Sequence, residues 1–188
     1  MQDTTVEVHP RGDDDQALLA ALAGRLLGNP VTVTHHCPNC GGTDHGRPLV
    51  DGAFVSLSRA GGLVAIAVSL DGPVGVDIES VARVSASGFD DVAFSGTERT
   101  RIAAADDPDL QRARLWTSKE AILKARGTGL RVDPRTVDPR DPGVELESSA
   151  PHDGYVVTVA RLREATPSRS SARCACRCRR CRCGLRRR

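Results

Sequence analysis

The spacing of apolar positions changes several times along this chain, and each change predicts an element. Residues 16–28 repeat Leu and Ala at helical intervals behind a run of Asp that suits a positive helix N-terminus, and Gly28 closes them. Residues 31–34 predict a short strand, and the Gly- and Pro-rich stretch from His35 to Pro48 predicts a loop. Residues 53–57 alternate as a strand, Ser58-Arg59-Ala60-Gly61-Gly62 breaks it, and 63–70 form an apolar strand that runs into the turn Asp71-Gly72-Pro73. Alternation resumes at Val74-Gly75-Val76-Asp77-Ile78-Glu79. Ser95 and Glu98 have the spacing of a capping box, and residues 98–105 and 109–126 follow as two helices joined by Asp106-Asp107-Pro108. Residues 131–142 are rich in Pro and Asp and predict loop or sheet edge, while 144–146 and 155–160 read as closing strands.

Two of these elements carry chemistry. The helix 109–126 holds both lysines of the chain, Lys119 and Lys124; every other cationic chain is Arg. Lys offers a compact ammonium that binds phosphate as a point charge. Trp116, Glu120 and Lys124 are spaced i, i+4, i+8 and share one stripe, whereas Lys119 points away from it. An exposed Glu to Lys pair would explain this spacing equally well. On the strand, Asp77 and Glu79 share a face roughly 6.6 Å apart, close enough for both to reach one hard cation. The ordinary alternative puts them on the wet face of a half-buried strand. Arg47, set between Gly46 and Pro48, is either a phosphate contact or a solvated side chain.

Charge and cysteine content divide the chain. The formal net charge of +2 combines nine Arg and no acid from Ala165 onward with 17 basic and 24 acidic residues before it, so the body stands at −7. A nucleic-acid partner would therefore rest on the tail alone. Of seven Cys, five lie in that tail and two form Cys37-Pro38-Asn39-Cys40. Two Cys at this spacing make half of a zinc knuckle, to which His35, His36 or His45 could add ligands. A closed site needs four ligands and the body offers no second Cys pair, which favours a loop with free thiols. Met1 to Asp15 shows no signal peptide and no stretch reaches transmembrane length, so a cytoplasmic protein with reduced thiols is expected. The tail, 166–188, alternates Arg, Cys and Ser with almost nothing apolar to bury. It reads as an Arg-rich arm, a metal tract, or GC-rich DNA translated in a shifted frame, and its abrupt onset favours the last.

Together, Gly75-Val76-Asp77-Ile78-Glu79, Phe94-Ser95-x-x-Glu98 and Trp116-x-x-Lys119-Glu120-Ala121-x-x-Lys124-x-x-Gly127-x-Gly129-Leu130 resemble the 4′-phosphopantetheinyl transferases, specifically the longer surfactin type, over about residues 16 to 160. The Cys-x-x-Cys-Gly-Gly-x-x-His-Gly-Arg-Pro stretch looks like a loop of actinobacterial members. The resemblance implies an α+β fold of two similar subdomains related by a pseudo-twofold, residues 1–72 and 73–165, with coenzyme A in the cleft between them. It also implies Mg²⁺-dependent transfer of phosphopantetheine from coenzyme A to a serine of an apo acyl or peptidyl carrier protein, releasing 3′,5′-ADP, by a monomer without membrane or nucleic-acid partners. Position by position, Asp77, Glu79 and Glu120 become metal ligands, Glu120 and Lys124 the catalytic base and acid, and Arg47, Ser58, Arg59, Lys119 and Lys124 contacts to coenzyme A. Where the family has Ser-His-Ser, this chain reads Ser58-Arg59-Ala60, so the resemblance puts a permanent cation on the coenzyme phosphates and predicts that Arg59→Ala raises the Michaelis constant for coenzyme A. The rival from another class is a zinc-knuckle binding protein whose Arg-rich tail contacts nucleic acid, and a transferase damaged by a shifted frame is a third reading.

Overall fold

The computed structural model describes residues 4–37 and 40–163; the tail read at 166–188 lies outside the described residues. In chain order the elements are β1 (Thr4–Pro10), α1 (Asp15–Leu27), β2 (Thr34–His36), β3 (Arg47–Leu49), β4 (Phe54–Ala60), β5 (Leu63–Ser69), β6 (Val74–Ser80), α2 (Val81–Ala86), α3 (Asp90–Ala93), α4 (Gly96–Ala103), α5 (Pro108–Arg126), β7 (Val144–Ser149) and β8 (Tyr155–Leu162), with single 3₁₀ turns at Gly129–Arg131 and Pro134–Thr136. The result is a mixed α+β fold.

Two antiparallel three-stranded sheets, ordered β1-β5-β4 and β6-β8-β7, form the frame, and a short β2-β3 hairpin stands beside them. Alternation along β5 sorts its side chains: Val64, Ile66 and Val68 pack with Leu19 and Leu22 of α1. Its Ala65 and Ala67 turn the other way and meet Val74, Val76, Ile78, Val157 and Val159 of the second sheet. Small residues on that face let the two sheets approach closely. On the far side of the second sheet, Ala121, Ile122 and Ala125 of α5 cluster with Ala160. The layers thus run helix, sheet, sheet, helix, and each sheet face is buried against apolar partners.

β4 and β6 are the edge strands that meet at the seam. There the Val76 amide donates to the Ser56 hydroxyl at 3.0 Å, which satisfies a backbone group that a sheet edge would otherwise leave open. At Gly61 an added Cβ would stand 2.4 Å from the Tyr155 hydroxyl, so the β4 to β5 turn touches the second sheet as well.

Several sequence expectations need correction. Residues 31–33 are irregular, and the strand in that region is Thr34–His36. Ser58-Arg59-Ala60 does not break β4: the strand continues through Ala60, paired with Leu63, and the chain turns at Gly61-Gly62. β1, with Val6 and Val8 as its apolar residues, was not expected, nor were β3, α2 and α3. The expected capping box is present, with the Ser95 amide 2.8 Å from Glu98 Oε2 and the Glu98 amide 3.4 Å from Ser95 Oγ.

Candidate active site

The site forms where α5 lies across β6, and Gly75 permits the approach. A Cβ at position 75 would come within 2.0 Å of the Ala121 carbonyl oxygen and 2.5 Å of the Ala125 nitrogen, so only glycine lets the helix backbone rest on the strand. Asp77 and Glu79, on the same strand face as Gly75, therefore lie under α5 and not on a wet face. Asp77 is 3 % exposed.

The helical stripe meets the strand pair directly. Lys124 Nζ donates to Asp77 Oδ1 at 2.6 Å and to Ser58 Oγ at 2.8 Å, and Ser58 donates to the same Asp77 oxygen at 2.7 Å. Ser58 belongs to β4 and Asp77 to β6, so this triad is built from both sheets. At the other end of the same stripe, the Trp116 indole hydrogen-bonds Glu79. Trp116 is itself held by Phe89 and Phe94, at ring distances of 4.7 and 6.5 Å.

Three carboxylates crowded into this space all bind protons more tightly than usual. Burial, which Lys124 opposes, raises Asp77. Burial first and the negative Asp77 second raise Glu120. The same two causes push Glu79 up to about 7. One oxygen of Asp77 and one of Glu120 are buried without a hydrogen-bond partner. Orphaned buried acceptors cost on the order of 1–3 kcal/mol each, more when charged, and call for a ligand that compensates them. A hard dication fits the donor set, since Mg²⁺ prefers oxygen ligands and takes one or two carboxylates together with phosphate and water. The three carboxylates do not all lie within 4.8 Å of one another: among the described residues, the group of three potential ligands whose donor atoms do so is Cys37, Cys40 and His45, elsewhere in the fold.

Beside the cluster opens a cleft of about 520 Å³ lined by Arg47, Ser56, Leu57, Lys124, Gly127 and Leu130, among others. This volume suits a cofactor-sized ligand. β3 delivers Arg47 to its wall, where the guanidinium lies against Gly127, 2.6 Å from where a Cβ would stand. Burial alone lowers the Arg47 pKa. Among the described residues no carboxylate pairs with it, which leaves a desolvated planar cation facing the cleft.

Two sequence-predicted contacts fall elsewhere. Lys119 is fully buried, and its ammonium is saturated by Glu98 Oε2 at 2.9 Å and the carbonyls of Pro134 and Val137 at 2.7 and 3.2 Å. It fastens α5 to α4 and to the following loop, and has no N–H left for a phosphate. Arg59 neighbours Ser58 on a strand, so pleating sends it to the opposite face. There it donates to Asp15 Oδ2 at 2.5 Å, at the start of α1. Burial would raise Asp15, but the Arg59 bond and the Gly12 amide together hold it below the usual carboxylate range. Two contributions escaped the sequence reading. The Trp116 bond to Glu79 followed from the shared stripe once the facing strand was known, whereas Gly127, though part of the helix motif, carried no sign that it would lie against Arg47.

Comparison with known proteins agrees with this geometry. Over 86 residues the chain is 35 % identical to the uncharacterized protein YieE of Escherichia coli, covering 43 % of this chain and 34 % of that protein. It is 35 % identical over 141 residues to the L-aminoadipate-semialdehyde dehydrogenase-phosphopantetheinyl transferase of Eremothecium gossypii, covering 60 % and 50 % of the two. Against the 4′-phosphopantetheinyl transferase AcpT of Salmonella typhi the identity is 37 % over 86 residues, 44 % and 42 % of the two. The chain thus spans between about a third and half the length of these relatives. The model of the 4′-phosphopantetheinyl transferase superfamily matches residues 73–171, which include β6, α5 and all three clustered carboxylates, and on that match this chain belongs to the 4′-phosphopantetheinyl transferase superfamily.

Proposed function

We propose that the protein is a 4′-phosphopantetheinyl transferase of the surfactin type, which moves the phosphopantetheine arm of coenzyme A onto a serine hydroxyl of an apo acyl or peptidyl carrier protein and releases 3′,5′-ADP. The observation that carries this reading is the gathering of Asp77, Glu79, Glu120 and Lys124 in one half-buried cluster, with Lys124 also lining the cleft that holds Arg47. Transfer to a hydroxyl needs a base for the incoming oxygen, cations for the phosphates and a polar environment fixed in advance.

Glu120 suits the base, because burial and the neighbouring Asp77 raise its affinity for a proton. It takes the proton from the carrier serine as that oxygen bonds to phosphorus and the bond from phosphorus to the departing 3′,5′-ADP oxygen breaks. Lys124 binds the pyrophosphate and supplies a proton to the leaving phosphate. Arg47 grips the nucleotide end with a geometry suited to two phosphate oxygens. Asp77, Glu79 and Glu120 would hold Mg²⁺, which when bound neutralises the pyrophosphate. Ser58 orients Asp77 and Lys124 through its two bonds.

Residues 1–72 and 73–165 are read as two similar subdomains related by a pseudo-twofold. The shared strand order, with the last strand of each half in the middle of its sheet, supports this. Among the described residues no helix is long and apolar enough to cross a membrane, and a cytoplasmic site of action suits the carrier substrate. The direct test incubates the protein with coenzyme A, Mg²⁺ and apo carrier proteins and looks for the phosphopantetheine mass on the carrier serine. Transfer by the wild type and its loss in Glu120→Ala are expected. Absence of transfer to several carriers, under conditions where coenzyme A and Mg²⁺ demonstrably bind, would overturn the reading.

A further inference from the structure

The segment that joins β2 to β3 is organised by bonds that the transfer reaction does not use. Around the two cysteines, the Gly41 amide donates to the Cys37 carbonyl at 2.8 Å and the Cys37 amide to the Gly42 carbonyl at 2.9 Å. Gly41 takes φ 73°, a conformation that glycine adopts without strain. The Gly42 amide then donates to Cys40 Sγ at 3.4 Å. The bond fixes the position of this sulfur, and the thiolate is the form of cysteine that binds metals.

His45 completes the set. Its Nε2 lies 3.3 Å from Cys40 Sγ, and it also hydrogen-bonds Cys37. Its other nitrogen, Nδ1, lies 2.6 Å from Asp44 Oδ1. A carboxylate that accepts from Nδ1–H fixes the tautomer whose Nε2 lone pair is free, the arrangement found behind histidines that bind zinc. The donor atoms of Cys37, Cys40 and His45 all lie within 4.8 Å of one another. Around tetrahedral zinc, with bonds of about 2.3 Å to sulfur and about 2.0 Å to nitrogen, such atoms stand roughly 3.5–3.8 Å apart. Closure by about an ångström at most completes the site, and the edge from Cys40 to His45 is already short enough. Two thiolates and an imidazole select Zn²⁺ over Mg²⁺, whose ligands are oxygens.

We propose that Cys37, Cys40 and His45 bind one Zn²⁺, with a solvent molecule in the fourth position, and that the ion clasps the β2-β3 hairpin. The hairpin needs such a clasp. It has three residue pairs, and isolated two-stranded hairpins are marginal in water. The next residue, Gly46, turns the chain at φ 102°, where a Cβ would stand 2.4 Å from the His36 carbonyl oxygen, and Arg47 follows at once into the cleft. The clasp therefore sets the path of the segment that carries Arg47.

The test uses the full chain, prepared under reducing conditions with zinc supplied, and measures metal per mole together with the absorption of the Co²⁺-substituted protein. Wild type should hold one equivalent at this site and show visible bands of tetrahedral cobalt with thiolate charge transfer. Cys40→Ser and His45→Ala should lose both. Asp44→Asn, a change at an exposed side chain that keeps the fold, should weaken zinc affinity 10- to 100-fold and answers the question if the other variants do not fold. Five further cysteines lie in the tail, so if Cys40→Ser and His45→Ala keep the full wild-type stoichiometry and cobalt spectrum, and Asp44→Asn the wild-type affinity, the metal belongs to the tail and the proposal is overturned, as it is by a wild type that takes up no metal. Amide exchange reads the clasp role: chelation should speed exchange within residues 34–49 and leave β5 unchanged, and equal exchange with and without metal would refute it. None of these readouts depends on transferase activity.

Discussion

In Gly75→Ala the new methyl group meets the Ala121 carbonyl oxygen at 2.0 Å and the Ala125 nitrogen at 2.5 Å, both backbone atoms of α5 that cannot rotate away. Ordinary contact begins near 3.4 Å, so the helix must retreat by about 1.4 Å or the strand must bend by as much. Overpacking costs about 1–3 kcal/mol where side chains can adjust. With backbone on both sides the upper end applies, and about 3 kcal/mol lowers the melting temperature of a chain this size by roughly 6–12 °C. The same retreat would stretch the 2.6 Å bond from Lys124 to Asp77 to about 4 Å, beyond hydrogen-bonding range. A misplacement of about 1 Å can cost on the order of 100-fold in rate. Urea denaturation gives the stability, and carrier modification followed by mass spectrometry gives the rate. Gly96→Ala is the control, because a Cβ there meets nothing within 4 Å. If Gly75→Ala stays within about 0.5 kcal/mol of wild type and retains full activity, the claim that α5 is seated on β6 through this glycine is wrong.

Lys119→Ala should lower stability by about 3–5 kcal/mol, because it strands the buried Glu98 carboxylate and two carbonyls; a normal urea midpoint with weakened coenzyme A binding would restore it as a phosphate contact. Glu79 holds its proton to about 7 in the fold but releases it near 4.5 when unfolded, so this group makes the apo protein less stable as pH rises through that window. Glu79→Gln should flatten that loss by roughly 1–2 kcal/mol, allowing for the solvent that reaches a partly buried side chain, as measured by urea denaturation in chelator at pH about 5 and about 8. Arg59→Ala should destabilise α1 by about 1–2 kcal/mol and leave the Michaelis constant for coenzyme A near wild type; a severalfold rise in that constant with unchanged stability would return Arg59 to the coenzyme.

The pattern of residues made the acids of β6 and the stripe of α5 readable, because both depend on local periodicity alone. What it left open was which faces meet. Alternation puts Asp77 opposite Val76, but the solvent reading fails because Gly75 admits a helix onto that face. A lone glycine inside a strand was the available signal. The lysines divide by the same logic: Lys124 shares the stripe of Glu120 and reaches Asp77, whereas Lys119 is rotated off it into the protein interior. β1 was missed since Val6 and Val8 give too short an alternation, and its strand character comes from pairing with β5 far along the chain. Ser58 and Arg59 looked like one motif, yet adjacent strand residues face apart, and only the continuation of β4 to Ala60 makes that plain.

The position of β8 bears on how the protein comes into being. It is the last strand in the described chain and the middle one of its sheet, so β6 has no neighbour in that sheet until residues 155–162 have been made. During synthesis the acids of β6 and the stripe of α5 emerge early and can rest on the first sheet, but one edge of β6 stays unpaired. The second sheet is complete only once β8 stands between β6 and β7. A truncation that removes only β8 would delete none of the clustered residues and still leave a chain that cannot assemble them.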